Sequence, residues 1–235
     1  MSESAVAPGK LNVGAVISQA FATLQSKLLF FVFTGLMVGL ASLVGTNGPL
    51  VLIGILLTLA VGTVAQILTV RATTGALGAD AGTEFVPAIQ AALPKFVPVF
   101  LTSLLVGIIV FLGLILLVVP GVFLAVMLMV STVACILEDR SPVEALKRSR
   151  ELTRGNRWRV LGLVLILALF AIGGALLVAI PTAVAGILPG IGAILARVVS
   201  AAAEGFLSIF GTLVVTHAFL ELRRLNEASA PAPLI

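Results

Sequence analysis

The chain predicts an all-α, polytopic membrane protein with six transmembrane helices in three hairpins, and three observations carry that expectation. Of 235 residues, 60% are hydrophobic and 10% are charged, against roughly 45–50% and 25% in a soluble domain. The charges cluster and leave uncharged stretches at Leu28–Val70, Phe96–Leu137 and Val160–Ala196, of 43, 42 and 37 residues. Turn-forming residues divide the first two: Gly45, Asn47, Gly48 and Pro49 in one, Pro120 and Gly121 in the other.

A helix crosses about 30 Å of hydrocarbon with about 20 apolar residues, so each stretch is two crossings and a turn rather than one rod. The spans fall at 28–44, 50–70, 98–119, 122–137, 160–180 and 200–220. On this division all 11 prolines lie outside helix interiors, as expected where lipid cannot replace a lost backbone hydrogen bond. Pro181–Arg197, interrupted by Pro189, Gly190 and Gly192, reads as a loop with an interfacial or re-entrant turn. A single membrane domain over 11–225 is expected, with flexible tails at 1–10 and 226–235.

Orientation follows from the basic residues. Thirteen of the 14 Lys and Arg fall on one side of a six-span arrangement, and Arg197 stands alone on the other. The positive-inside rule makes the basic side cytoplasmic, with both termini inside. The first apolar run follows 27 mostly polar or amphipathic residues, so a cleaved signal peptide is not expected.

Amphipathic stretches precede each pair of spans, at Val13–Lys27, Glu84–Lys95 and Ser141–Arg159, as a weak internal repeat of interfacial helices on the cytoplasmic side. In the first, Val13, Val16, Ile17, Ala20, Phe21 and Leu24 recur at helical spacing. The third opens on Ser141-Pro142-Val143-Glu144, a capping box with Pro at the first helical position. Gly155 then supplies a stop, and the spacing predicts a helix over 142–154.

Several of these residues carry a resemblance. Val119-Pro120-Gly121-Val122-Phe123, Glu138, the run Ser141 to Ser149, Leu152 to Gly155 and Trp158-Arg159-Val160 resemble the membrane domain attached to some bacterial glycerophosphodiester phosphodiesterases. Phe219 to Arg223 is similar to the closing pattern of that family, and small stand-alone inner-membrane proteins share the type. The resemblance implies a six-helix architecture in a bacterial inner membrane. It implies no phosphodiesterase activity, because the catalytic barrel of those enzymes has no counterpart in this chain.

Two groups of residues are candidate sites. Lys147, Arg148, Arg150, Arg154, Arg157 and Arg159 surround one acid, Glu151, beside Trp158. They read either as a site for anionic lipid or its headgroup, or as topology determinants with Trp158 as an interfacial anchor. Glu144 with Arg148 and Lys147 with Glu151 stand at i, i+4, where pairing on a solvated face is expected. The second group is intramembrane: Thr58, Gly62, Gln66 and Thr69 on the second span, and Ser200, Glu204, Ser208, Thr212 and Thr216 on the last. Two polar faces meeting across a bundle would line a path for a solute, ion or proton. Interhelical packing and hydrogen bonding is the other reading.

Smaller features have bland expectations. Gly35 and Gly39 form GxxxG, which serves either contact with a second copy or, as the expected use, close packing within the bundle, and Gly173 and Gly174 admit a close neighbour. Cys135 is an apolar filler, His217 pairs with Glu221 along one helix face, and Glu138 balances the basic connection.

One Cys and one His exclude a disulfide framework, a Cys/His zinc site and a c-type haem attachment. No nucleotide-binding loop or nucleophile with a recognisable base is present. The sequence therefore predicts a non-enzymatic protein without cofactor or metal, acting as a lipid-associated or complex-assembling module. The alternative is a small-solute or proton-coupled transporter or channel using the polar stripe. Membrane lipids, anionic ones included, are the expected partners and nucleic acid is not; a second copy or another membrane protein stays open.

Overall fold

The computed structural model describes residues 10–42, 51–75, 85–186 and 191–229, and the regular structure among them is helical throughout. The helices are α1 (Val13–Ser26), α2 (Leu28–Ser42), α3 (Val51–Thr73), α4 (Phe85–Leu116) and α5 (Val118–Leu128). They continue with α6 (Ser131–Glu138), α7 (Pro142–Leu152), α8 (Arg157–Gly186) and α9 (Ile191–Ser229). Five segments are long and apolar enough to cross a membrane: α3, α4, α5 with α6, α8 and α9. A sixth is counted if α1 and α2, bent by 94° at Lys27, form one broken span. The first predicted turn, Gly45 to Pro49, and Glu84 lie outside the described residues.

α1 is the amphipathic helix the spacing predicts. Asn12 caps it, its side chain accepting from the Ala15 N–H at 3.1 Å, and Val16, Ala20 and Leu24 are buried. Lys27, at the bend, donates from Nζ to the Ala72 carbonyl at 2.9 Å. That cation satisfies a carbonyl in the last turn of α3, an end that favours positive charge.

The second amphipathic stretch departs from expectation. Glu84–Lys95 is not a separate interfacial helix; from Phe85 onward it is the start of α4, whose interior contains Pro94 and Pro98. Pro98 lacks the N–H that would bond the Pro94 carbonyl, so the two prolines concentrate the loss in one stretch. Neighbouring helices brace this stretch: Arg71 Nη1 donates to the Ala91 carbonyl at 2.8 Å. Lys95 donates to the Ile136 carbonyl at 3.1 Å and pairs with Asp139, tying α4 to the end of α6.

The turn between α4 and α5 falls at Leu117, in extended conformation, and not at Pro120-Gly121. Pro120 sits in the first turn of α5, where its missing donor costs nothing. Gly121 serves a close approach instead, since an added Cβ would lie 2.6 Å from the Leu114 side chain. The predicted span 122–137 is interrupted by a turn at Met129 and Val130, and α6 ends at Asp139 with φ 51°. α7 begins as predicted, with the Ser141 N–H and hydroxyl donating to Glu144 Oε2 at 3.1 and 2.8 Å. It ends at Leu152, followed by Gly155 at φ 89°.

Pro181–Arg197 is also corrected. α8 continues through Pro181 to Gly186 and α9 starts at Ile191, so both arms of this segment are helical. At the other end α9 runs to Ser229, past the expected tail boundary at 226.

α9 is the central helix, packing against α2 and α8 most extensively and also against α1 and α3. Gly205 makes the α2 contact possible, because a Cβ there would fall on the Gly35 carbonyl; Gly39 sits equally tightly on the Ala201 backbone. The GxxxG pair is thus used inside the bundle. Gly174 packs on Leu207, 3.3 Å from the position of an added Cβ. Phe31, Ile67, Leu68, Leu213, Phe219 and Leu222 fill the core. Outward faces carry large apolar side chains such as Leu29, Leu52, Leu104 and Leu169, as suits a surface solvated by hydrocarbon.

Candidate functional site

α7, the turn after it and the start of α8 carry the basic run, and its seven candidate residues divide three ways. Two are committed to the fold. Arg148 donates from Nε to both oxygens of Glu138, at 3.2 and 3.0 Å, and Arg140 donates to the same carboxylate at 2.6 Å. Arg159 donates from Nη1 to the Leu11 carbonyl at 2.7 Å, while the Leu11 N–H donates to Asn156 Oδ1 at 3.0 Å. Both backbone groups of the fully buried Leu11 are thereby held by the turn before α8 and the first turn of α8 itself.

Three more face a cup. Lys147, Arg150 and Arg154, with Glu151 and Arg157, line a cavity of about 520 Å³. Among the described residues Lys147, Arg150 and Arg154 have no ion pair. Glu151, the acid in the wall, lies 3.8 Å from Arg148 Nη1. The expected i, i+4 pairs are not formed, because Glu144 turns back to cap the helix and Arg148 turns to Glu138. Glu138 and Glu144 are thus turned away from this wall, and four cations against the single acid Glu151 leave an electropositive concavity.

Arg157 and Trp158 form the third division. They line a second, apolar cavity of about 530 Å³ between α5 and α8 with Val119, Val122, Phe123 and Leu161 among others. Arg157 Cζ sits 5.1 Å from the centroid of the Phe123 ring, within cation–π range. Its Nε is buried with no hydrogen-bond partner among the described residues. Trp158 is 86% exposed. Arg157 is common to the two cavities, so the basic cup and the apolar groove adjoin at this side chain.

The intramembrane stripes are arranged differently. Thr58, Thr69, Ser200, Thr212 and Thr216 each donate to the carbonyl four residues back, at 2.7 to 3.0 Å, so their hydroxyls are satisfied within their own helices. Gln66 donates to Thr132 of α6 at 2.9 Å, while Glu204 and Ser208 are exposed. Among the described residues no hydrogen bond joins the α3 stripe to the α9 stripe. His217 is corrected as well: its Nε2 meets the Thr23 hydroxyl of α1 at 2.9 Å and not Glu221. Cys135 is buried.

Two elements of the site had no signal in the sequence. Asn156 looks like one more polar turn residue, and its partner Leu11 is 145 positions away. The wall supplied by α5 reads as a lipid-facing helix until α8 is packed beside it, although Val119, Val122 and Phe123 of that wall stand in the run that carries the resemblance.

No curated protein and no solved structure matches the chain. Residues 16–222 match the family described as "Domain of unknown function (DUF7847)", a stretch from within α1 to the buried Leu222 of α9 in this fold, and the chain belongs to that family.

Proposed function

We propose that this is a non-enzymatic, lipid-associated membrane module whose basic cup receives the anionic headgroup of a membrane lipid. The observation that carries the reading is the cup itself: Lys147, Arg150 and Arg154 share one concavity and have no ion pair among the described residues. Cations needed only to set topology could be neutralised locally, as Arg148 and Arg140 are by Glu138. Each basic residue near an anionic membrane surface contributes about 1 kcal/mol, screened by salt.

The accompanying architecture is six crossings in a bacterial cytoplasmic membrane, with α1 and α2 as one broken span and the basic end inside. This is the arrangement the glycerophosphodiester phosphodiesterase resemblance implies. Cytoplasmic reporters fused after Arg71, Arg150 and Arg224 should be active; a periplasmic signal after Arg150 would reverse the cup to the wrong side.

The test of function replaces Lys147, Arg150 and Arg154 with Gln and measures phosphatidylglycerol retained by the purified protein at low and high salt. Loss of both the preference for anionic lipid and its salt dependence is expected. Unchanged retention would leave these residues as topology signals only.

A further inference from the structure

Resting on the headgroup reading above, we infer that the basic cup and the apolar groove between α5 and α8 are the two halves of one site, which holds a single acidic phospholipid. Its phosphate lies among Lys147, Arg150 and Arg154, and one acyl chain lies along α5. The reasons are adjacency and charge. Val118, Val122 and Val126 stand at four-residue spacing on one face of α5, a stripe of about 12 Å. Trp158 and Leu161 of α8 close the opposite wall. The groove is otherwise apolar along this length and adjoins the cationic cup at Arg157, so a charged wall and an apolar wall stand side by side, as the head and chain of a phospholipid require.

Arg157 is the joint between the halves. Its guanidinium lies on the face of Phe123 in the groove wall, and it also borders the cup. Its Nε is buried with no acceptor among the described residues, so the contact with the Phe123 ring is what places the residue between cup and groove. Glu151 on the cup wall lies near Arg148, which offsets its repulsion of a phosphate. A soluble anion would use the cup and leave the groove without an occupant; a zwitterionic or neutral lipid would use the groove and leave the three cations without a counter-ion.

Trp158 is the sole tryptophan of the chain and lines the groove, so it reports directly on an acyl chain there. The protein is reconstituted in dioleoylphosphatidylcholine nanodiscs containing increasing fractions of chain-brominated phosphatidylglycerol, or of chain-brominated phosphatidylcholine. Trp158 fluorescence should be quenched by the brominated phosphatidylglycerol at about a tenfold lower mole fraction than by the brominated phosphatidylcholine. The quenching should saturate, and sn-glycerol 3-phosphate should not relieve it. In Val122→Phe, which fills the groove, that preference in quenching should disappear while salt-dependent retention of phosphatidylglycerol persists. Equal quenching by both lipids in the unmodified protein, with retention of phosphatidylglycerol intact, would overturn the joint site and leave the headgroup reading standing. Loss of that retention's dependence on Lys147, Arg150 and Arg154 would overturn the headgroup reading itself. Relief of quenching by sn-glycerol 3-phosphate would show that the cup selects soluble phosphates.

Discussion

The guanidinium of Arg157 lies over the ring of Phe123, 5.1 Å from its centroid, and this contact joins the first turn of α8 to the middle of α5. The two residues are 34 positions apart, separated by α6, α7 and three short connections. Their meeting converts a basic interfacial run and a hydrophobic helix, each ordinary alone, into adjoining walls. A cation on an aromatic face contributes about 0.5–1 kcal/mol at an exposed site and more when desolvated. The contact therefore positions Arg157 without consuming its hydrogen-bonding capacity.

The α2–α9 crossing should be the most sterically sensitive place in the bundle. A Cβ on Gly205 would fall on the Gly35 carbonyl, a Cβ on Gly35 would lie 3.2 Å from Gly205 backbone atoms, and one on Gly62 meets nothing within 4 Å. Overpacking of this kind costs about 1–3 kcal/mol. Thermal unfolding in detergent should rank Gly205→Ala as most destabilised, Gly35→Ala as intermediate and Gly62→Ala as unchanged. Equal stability of the three would mean that α2 and α9 do not cross at Gly35 and Gly205.

The hold on Leu11 gives a local prediction. Asn156→Leu removes the acceptor of a buried N–H, which costs about 1–3 kcal/mol, and should raise amide hydrogen exchange at Leu11 and through the first turn of α1. Asn156→Asp keeps an oxygen at the same position, next to Arg159, and should exchange much more slowly than the Leu variant. Indistinguishable exchange in the two variants would remove Asn156 from its role in docking α1.

Acid should weaken the start of α7. The Ser141 side chain donates to the Glu144 carboxylate, the Ser141 backbone N–H does so as well, and together they hold the Glu144 carboxyl below its usual range. Because the fold favours the ionised form, its stabilisation is complete above the ordinary glutamate range and is lost as pH falls through the lowered value. Glu144→Gln should therefore be less stable than the parent near neutrality, with the gap closing as pH drops below that of a free glutamate. A gap that stays constant into acid would show that the capping box does not depend on charge.

What the sequence discloses about this fold is mainly what is local. Uncharged stretches foretell apolar helices because no lipid-facing helix tolerates charges at its centre, and Ser141-Pro142-Val143-Glu144 foretells the start of α7 because the capping pattern closes within four residues. The prolines mislead for the same reason. Pro94 and Pro98 look like breaks, yet α4 passes through them, with Arg71 from α3 binding a carbonyl just before Pro94. Long-range pairing decides the site as well: which cations of the basic run stay available depends on Glu138 reaching Arg148 and Leu11 reaching Arg159. Neither pairing follows from composition or spacing, so the run reads as one patch until the chain is folded.

The claim that lipid preference belongs to the cup, and not to the net positive charge of the basic end, is tested most directly by comparing Arg154→Gln with Arg224→Gln. Each removes one positive charge; Arg154 lines the cup, whereas Arg224 is an exposed residue of α9 away from its wall. The measurement is the fraction of protein carrying one phosphatidylglycerol molecule in native mass spectra recorded from nanodiscs of phosphatidylglycerol and phosphatidylcholine. A cup predicts that Arg154→Gln lowers that fraction several-fold, about what 1 kcal/mol of lost attraction gives, while Arg224→Gln leaves it unchanged. Equal reductions in the two variants would contradict the account and assign the preference to overall charge.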